Sequence, residues 1–140
     1  MMHVRNLKKS FGDGSQKVEV LKGINLDIHR GETIALLGKS GSGKSTLLSL
    51  MAGLDHADEG SIEIEGKNLQ TFSEKELTHF RAQKMGIVFQ QFHLVSTLTA
   101  LENVLLPLEI LKKSNARKEA ESLLQAVGLS HRLDHLPSQL

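Results

Sequence analysis

The stretch Gly38-Lys39-Ser40-Gly41-Ser42-Gly43-Lys44-Ser45 constrains this chain more than any other feature, because it satisfies the spacing G-x-x-x-x-G-K-[ST]. Before it, Thr33-Ile34-Ala35-Leu36-Leu37 is a short continuous apolar run, as expected of a strand buried on both faces in a sheet with parallel members. After it, Leu47, Leu48, Leu50, Met51 and Leu54 recur at helical spacing, and Gly53 is placed to end the helix. Strand, glycine loop and helix in that order make an α/β fold the expectation. The same context separates a phosphate-binding loop from a merely flexible glycine- and serine-rich one.

Each fixed position has a physical task. Gly38, Gly41 and Gly43 lack a Cβ, so the backbone can adopt torsions that let successive N–H groups converge on a β-phosphate. The helix starting near Lys44 points its positive dipole end at the same place. Lys44 is expected to reach the β- and γ-phosphates as a point charge. The Ser45 hydroxyl is expected to ligate magnesium, a hard ion that takes oxygen donors. Thr46 is placed to add a contact to the α-phosphate, and Ser40 and Ser42 complete the loop's binding surface. Lys39 is not fixed by the spacing and reads as solvated. The ligand this predicts is a nucleoside triphosphate, most simply ATP with Mg2+.

Composition narrows the alternatives. A chain of 140 residues at 39% hydrophobic is enough for one compact domain with a core. No run of roughly 18 apolar residues is present, and no apolar signal core follows the early basic residues Arg5, Lys8, Lys9 and Lys17. A soluble, cytosolic chain is the expectation. With no cysteine, disulfide frameworks and thiolate metal sites are excluded. The +1 formal charge arises from scattered residues, and all five aromatics are Phe, which argues against nucleic acid as a primary partner.

Elsewhere, Val18–Leu21 and Ile24–Ile28 read as two short strands punctuated by Gly23, with a turn at His29–Glu32. Residues 60–65 alternate Ile62 and Ile64 with Glu63 and Glu65, a strand with one wet face that turns at Gly66-Lys67-Asn68. Ser73-Glu74-Lys75-Glu76 is a capping-box pattern and predicts a helix to about Gln83. Met85–Phe89 reads as another buried strand, with Gln90 at its end. Two helices are expected over 99–112, kinked at Pro107, and over 115–127, stopped by Gly128. His131 and His135 are four apart, but no third convincing ligand accompanies them, so a metal site there is not expected.

Three further groups of residues carry a family likeness. They are Val20-Leu21-Lys22-Gly23-Ile24-Asn25-Leu26 with Gly31-Glu32-Thr33-Ile34-Ala35, then Met51-Ala52-Gly53-Leu54-Asp55, and then Gly86-Ile87-Val88-Phe89-Gln90-Gln91-Phe92-His93-Leu94 with Leu98-Thr99-Ala100-Leu101-Glu102-Asn103-Val104. Through them, over nearly its whole length, the chain resembles the ATP-binding subunit of ABC transporters, in particular the lipoprotein-releasing and macrolide-export group.

The resemblance implies part of a P-loop NTPase fold, with a β-rich N-terminal part, a nucleotide-binding core over 1–90 and an incomplete helical subdomain over 91–140. It implies that Gln90 is the Q-loop glutamine, which contacts magnesium and the attacking water. A neutral amide with one acceptor and two donors suits that task. Phe11 lies where the family places an aromatic that stacks on adenine, the alternative being a partly buried core Phe. Val20 is open between packing near the base edge and packing in the core.

The resemblance also implies a membrane-spanning transporter subunit as partner and a head-to-tail homodimer that clamps ATP. The location it implies is peripheral, on the inner face of the cytoplasmic membrane. Leu140 falls where the family's LSGGQ signature would begin, and no segment before it substitutes for the family's catalytic base. Two functions are therefore expected as rivals. One is the ATPase subunit of an exporter of lipid-linked or hydrophobic substrates, with Lys44 and Gln90 in the catalytic machinery. The other is a nucleotide-binding module that holds ATP without turnover.

Overall fold

The computed structural model describes every residue from Met1 to Leu140 and every side chain but that of Ser15. It divides into two compact units, Met1–Ile87 and Val88–Leu140, which places Gln90 in the second.

The first unit is organised on β1 (Met2–Phe11). This strand pairs antiparallel with β2 (Val18–Ile28) on one side and with β3 (Glu59–Ile64) on the other. A two-residue strand, β4 (Lys67–Asn68), follows on β3, giving the order β2-β1-β3-β4. Val4 and Leu7 both face inward and are fully buried although they are three apart, because the register shifts between them. Asn6, in the left-handed region at φ 45°, sits in that irregularity. Opposite it, Gly60 has φ 92°, and a Cβ there would run into the carbonyl oxygens of Arg5 and Asn6.

Strand β2 is continuous where two strands are expected from the sequence. The Gly23 break is instead a bulge: Lys22 and Ile24 pair with the adjacent residues Lys8 and Leu7, leaving Gly23 as the extra residue. A second irregularity leaves Val20 extra between Glu19 and Leu21, which pair with Ser10 and Lys9.

The core beneath this sheet contains Val4, Leu7, Leu21 and Ile62, with Leu47 and Leu50 from α1 (Lys44–Met51) and Leu77 and Phe80 from α2 (Glu74–Lys84). Helix α2 starts on the predicted capping box. Ser73 Oγ accepts from the Glu76 amide, and the Glu76 carboxylate accepts from the Ser73 amide at 2.9 Å.

Two expected strands are corrected. Residues 33–37 and 85–89 form no strand, and the sheet has no parallel pair among the described residues. Each is an apolar run without a ladder neighbour, and β-structure needs a paired backbone as well as apolar side chains. Leu37 is accordingly 91% exposed rather than buried on both faces.

In the second unit, α3 (Ala100–Ile110) packs on α4 (Ala116–Ala126) through Ala100, Leu101, Ala120 and Leu124. Helix α3 runs through Pro107. Helix α4 ends at Gly128, where the Leu129 amide donates to the Leu124 carbonyl at 2.8 Å. No helix among the described residues is long and apolar enough to cross a membrane.

On the wet face of the sheet, the Asp27 carboxylate accepts from Arg5 Nη2 at 2.6 Å and lies 2.5 Å from His3 Nδ1. The hydrogen bond with His3, and then that from Arg5, hold the Asp27 pKa below the ordinary carboxylate value. A depressed folded-state pKa stabilises above the unfolded value near ~4 and stops doing so as the pH falls through the folded value. Thermal melts from pH 6 down to pH 3 should therefore show Asp27→Asn losing less stability on acidification than the parent. Gly60→Ala, which forces a side chain into left-handed backbone pressed on β1, should cost about 1–3 kcal/mol in urea unfolding.

Candidate functional site

Helix α1 begins where the glycine loop presses on β2. Gly43 is its N-cap, at φ 84°, and a Cβ on it would lie 2.9 Å from Val20 Cγ1 and 3.2 Å from the Val20 carbonyl oxygen. The extra residue of the β2 bulge is thus the surface on which the loop rests. The Leu47 amide makes the first helical bond, to Gly43 O at 2.9 Å, so the amides of Lys44, Ser45 and Thr46 have no acceptor within the helix. No acidic side chain occupies the first turn. The N-terminal end of α1 is left electropositive.

Lys44 Nζ turns back over the loop and donates to the carbonyls of Gly38 and Lys39 at 2.9 and 2.8 Å. A Cβ on Gly38 would come within 2.8 Å of Ser42 Oγ, so the loop is closed on itself at both ends. These residues surround a cavity of about 370 Å³ lined by Phe11, Val20 and the run 40–46. Lys44 is the one charged side chain in the lining, and among the described residues no carboxylate contributes to it.

Every residue predicted to touch nucleotide within the first unit is therefore gathered here. Ser40, Gly41, Ser42, Gly43, Lys44, Ser45 and Thr46 line the cavity, and Gly38 holds Lys44 from just behind it. Phe11, 48% exposed at the end of β1, joins them. Val20 lines the cavity and is also packed, partly buried, against the core. Gln90 is not in this lining. It is exposed in a bend of the second unit, where the rings of Phe89 and His93 meet edge to face with centroids 4.6 Å apart.

Comparison with known proteins gives the family. The family model for ABC transporters matches residues 21–140. The chain belongs to the ABC transporter family. Among its relatives are an uncharacterized ABC transporter ATP-binding protein, YbbA, of Escherichia coli strain K12 (48% identical) and the lipoprotein-releasing system ATP-binding protein LolD of Saccharophagus degradans (47% identical). The alignments cover 100% and 96% of this chain but 62% and 60% of those proteins, so the chain spans about three fifths of their length. Among solved structures, the ATP-binding cassette MJ0796, a dimer in a post-hydrolysis state bound to ADP and Pi, superposes with a TM-score of 0.88. That match has 39% identity and covers 100% of this chain and 63% of the other. As an ABC family chain it has the mixed α/β architecture of the cassette.

The sequence reading missed Lys9. Its side chain is 13% exposed, and its Nζ sits 5.4 Å from the centre of the Phe11 ring. The signal was strand spacing, two residues apart on β1, visible only once that segment is known to be a strand.

Because Gly43 combines left-handed backbone with contact on Val20 and Leu21, Gly43→Ala should destabilise the chain by about 1–3 kcal/mol. Thermal unfolding would show this, with a larger shift than for Ser40→Ala on the open side of the loop.

Proposed function

We propose that this chain is the ATP-binding part of an ABC transporter ATPase subunit, and that the cavity between Phe11 and the loop Gly38–Thr46 holds ATP. The observation that carries the reading is the lining itself. Unpaired first-turn amides and one ammonium face a space free of negative side chains, and an exposed aromatic stands at its side. The N–H groups of the loop would bind the β-phosphate and Lys44 the β- and γ-phosphates, exchanging its loop carbonyls for phosphate oxygens. Phe11 would stack on the base.

The donor set also fits magnesium, since one hydroxyl, that of Ser45, suits an ion held mainly by water and substrate phosphates. When bound, Mg2+ neutralises charge developing on the phosphates. Gln90 completes this set in our reading, as metal ligand and orienter of water. Lys44 and Gln90 are then the residues of these 140 that serve hydrolysis. With no carboxylate at the cavity, these residues bind and position, and a general base must come from elsewhere in the working assembly.

The substrate exported would be lipid-linked or hydrophobic, through a separate membrane subunit, as the name of the lipoprotein-releasing relative suggests. That the similar cassette is a dimer supports a homodimer, which in our reading is head to tail. Such a subunit works at the inner face of the cytoplasmic membrane. A module that binds ATP without turnover is the second reading, favoured by the carboxylate-free lining.

Isothermal titration with ATP, with and without Mg2+, tests the site. Lys44→Ala should weaken MgATP binding about 10- to 100-fold, the equivalent of charged hydrogen bonds of about 1.5–3 kcal/mol. Phosphate release by the 140 residues alone should be negligible. Binding unaffected by the substitution would remove the loop from the site, and steady turnover would show that a catalytic base lies among these residues.

A further inference from the structure

Lys9 lies over the ring of Phe11. Lys9 Nζ donates to Asp55 Oδ1 at 2.9 Å and to the His56 carbonyl at 2.6 Å while lying against the Phe11 ring. Asp55 follows the C-terminal end of α1, the helix whose other end forms the phosphate loop. Neighbouring residues of β1 grip the same segment. The Ser10 amide donates to Asp58 Oδ2 at 2.8 Å, and Lys8 Nζ donates to Glu59 at 2.7 Å. One lysine side chain therefore links the aromatic of the cavity lining to the segment after the far end of the helix that begins at the glycine loop.

We infer that Lys9 is a positioning residue for nucleotide recognition: anchored by Asp55 and His56, it occupies one face of the Phe11 ring and leaves the other to stack on the base. A cation on one face of an aromatic ring is attracted by its quadrupole and restrains a side chain that would otherwise sample several rotamers. Restraint before binding lowers the ordering cost of stacking, so Lys9 acts on the base and not on the phosphates. The hydrogen bond from Lys9 is the first cause that holds the Asp55 pKa below the ordinary carboxylate value. The inference rests on the nucleotide reading above.

The test is a set of MgATP and magnesium tripolyphosphate affinities for the parent chain, Lys9→Met, Lys9→Arg, Phe11→Ala and the Lys9→Met/Phe11→Ala double variant. Lys9→Met should weaken ATP about two- to fivefold, the range of an exposed cation–π contact. It should leave tripolyphosphate unchanged, and it should have no further effect on ATP once Phe11 is Ala. Lys9→Arg should restore most of the ATP affinity. If Lys9→Met lowers the melting temperature enough to obscure binding, Asp55→Asn, which frees the same ammonium, should show the same ATP-selective loss. Equal loss of both ligands, or a loss that persists without the Phe11 ring, would overturn the Lys9 inference while leaving the nucleotide site standing. A parent chain that binds neither ligand would overturn the site itself and the inference with it.

Discussion

The close approach of Gly43 to the bulged residue Val20 is the constraint on which the first unit turns. The bulge gives β2 one residue more than β1 at that point, and the glycine loop lies against it with no room for a Cβ. From that contact the start of α1 is fixed, and with it the direction of three amides that have no helical acceptor. Leu47 and Leu50 anchor the same helix in the core, so hydrophobic burial and the geometry of the glycine loop are set by one element. A larger residue at 43 disturbs both together.

The loop was legible because its chemistry is local: glycines, lysine and serine act within a few residues of one another. The capping box at Ser73 and the Gly128 stop are local as well, and both stand in the structure. The failures came from pairing, which a single segment does not encode. Strand β1 escaped because the bulge at Asn6 places its inward residues Val4 and Leu7 three apart, and because Arg5, Lys8 and Lys9 interrupt any alternation. Residues 33–37 and 85–89 have the hydrophobicity of strands, yet no neighbouring strand pairs with their backbones. Lys9 was invisible for the same reason as β1, since its relation to Phe11 exists only on a pleated strand.

The charge pattern at the cavity suits a polyanion. A carboxylate in the lining would oppose phosphate binding by like-charge repulsion, and the lining has none among the described residues. The polar groups offered are amides, hydroxyls and one ammonium, which bind and orient but do not abstract a proton at neutral pH. Three acidic residues of the first unit, Asp27, Asp55 and Glu65, pair instead with Arg5, Lys9 and Lys84.

The central claim is that the loop from Gly38 to Thr46 is where nucleotide phosphates meet this chain. Amide hydrogen exchange with and without MgATP tests it most directly, because the open amides named above are the proposed ligands. Exchange should slow at Gly41 to Thr46 on addition of MgATP, with no comparable change in α4. Binding that leaves these amides unprotected while slowing exchange elsewhere would contradict it.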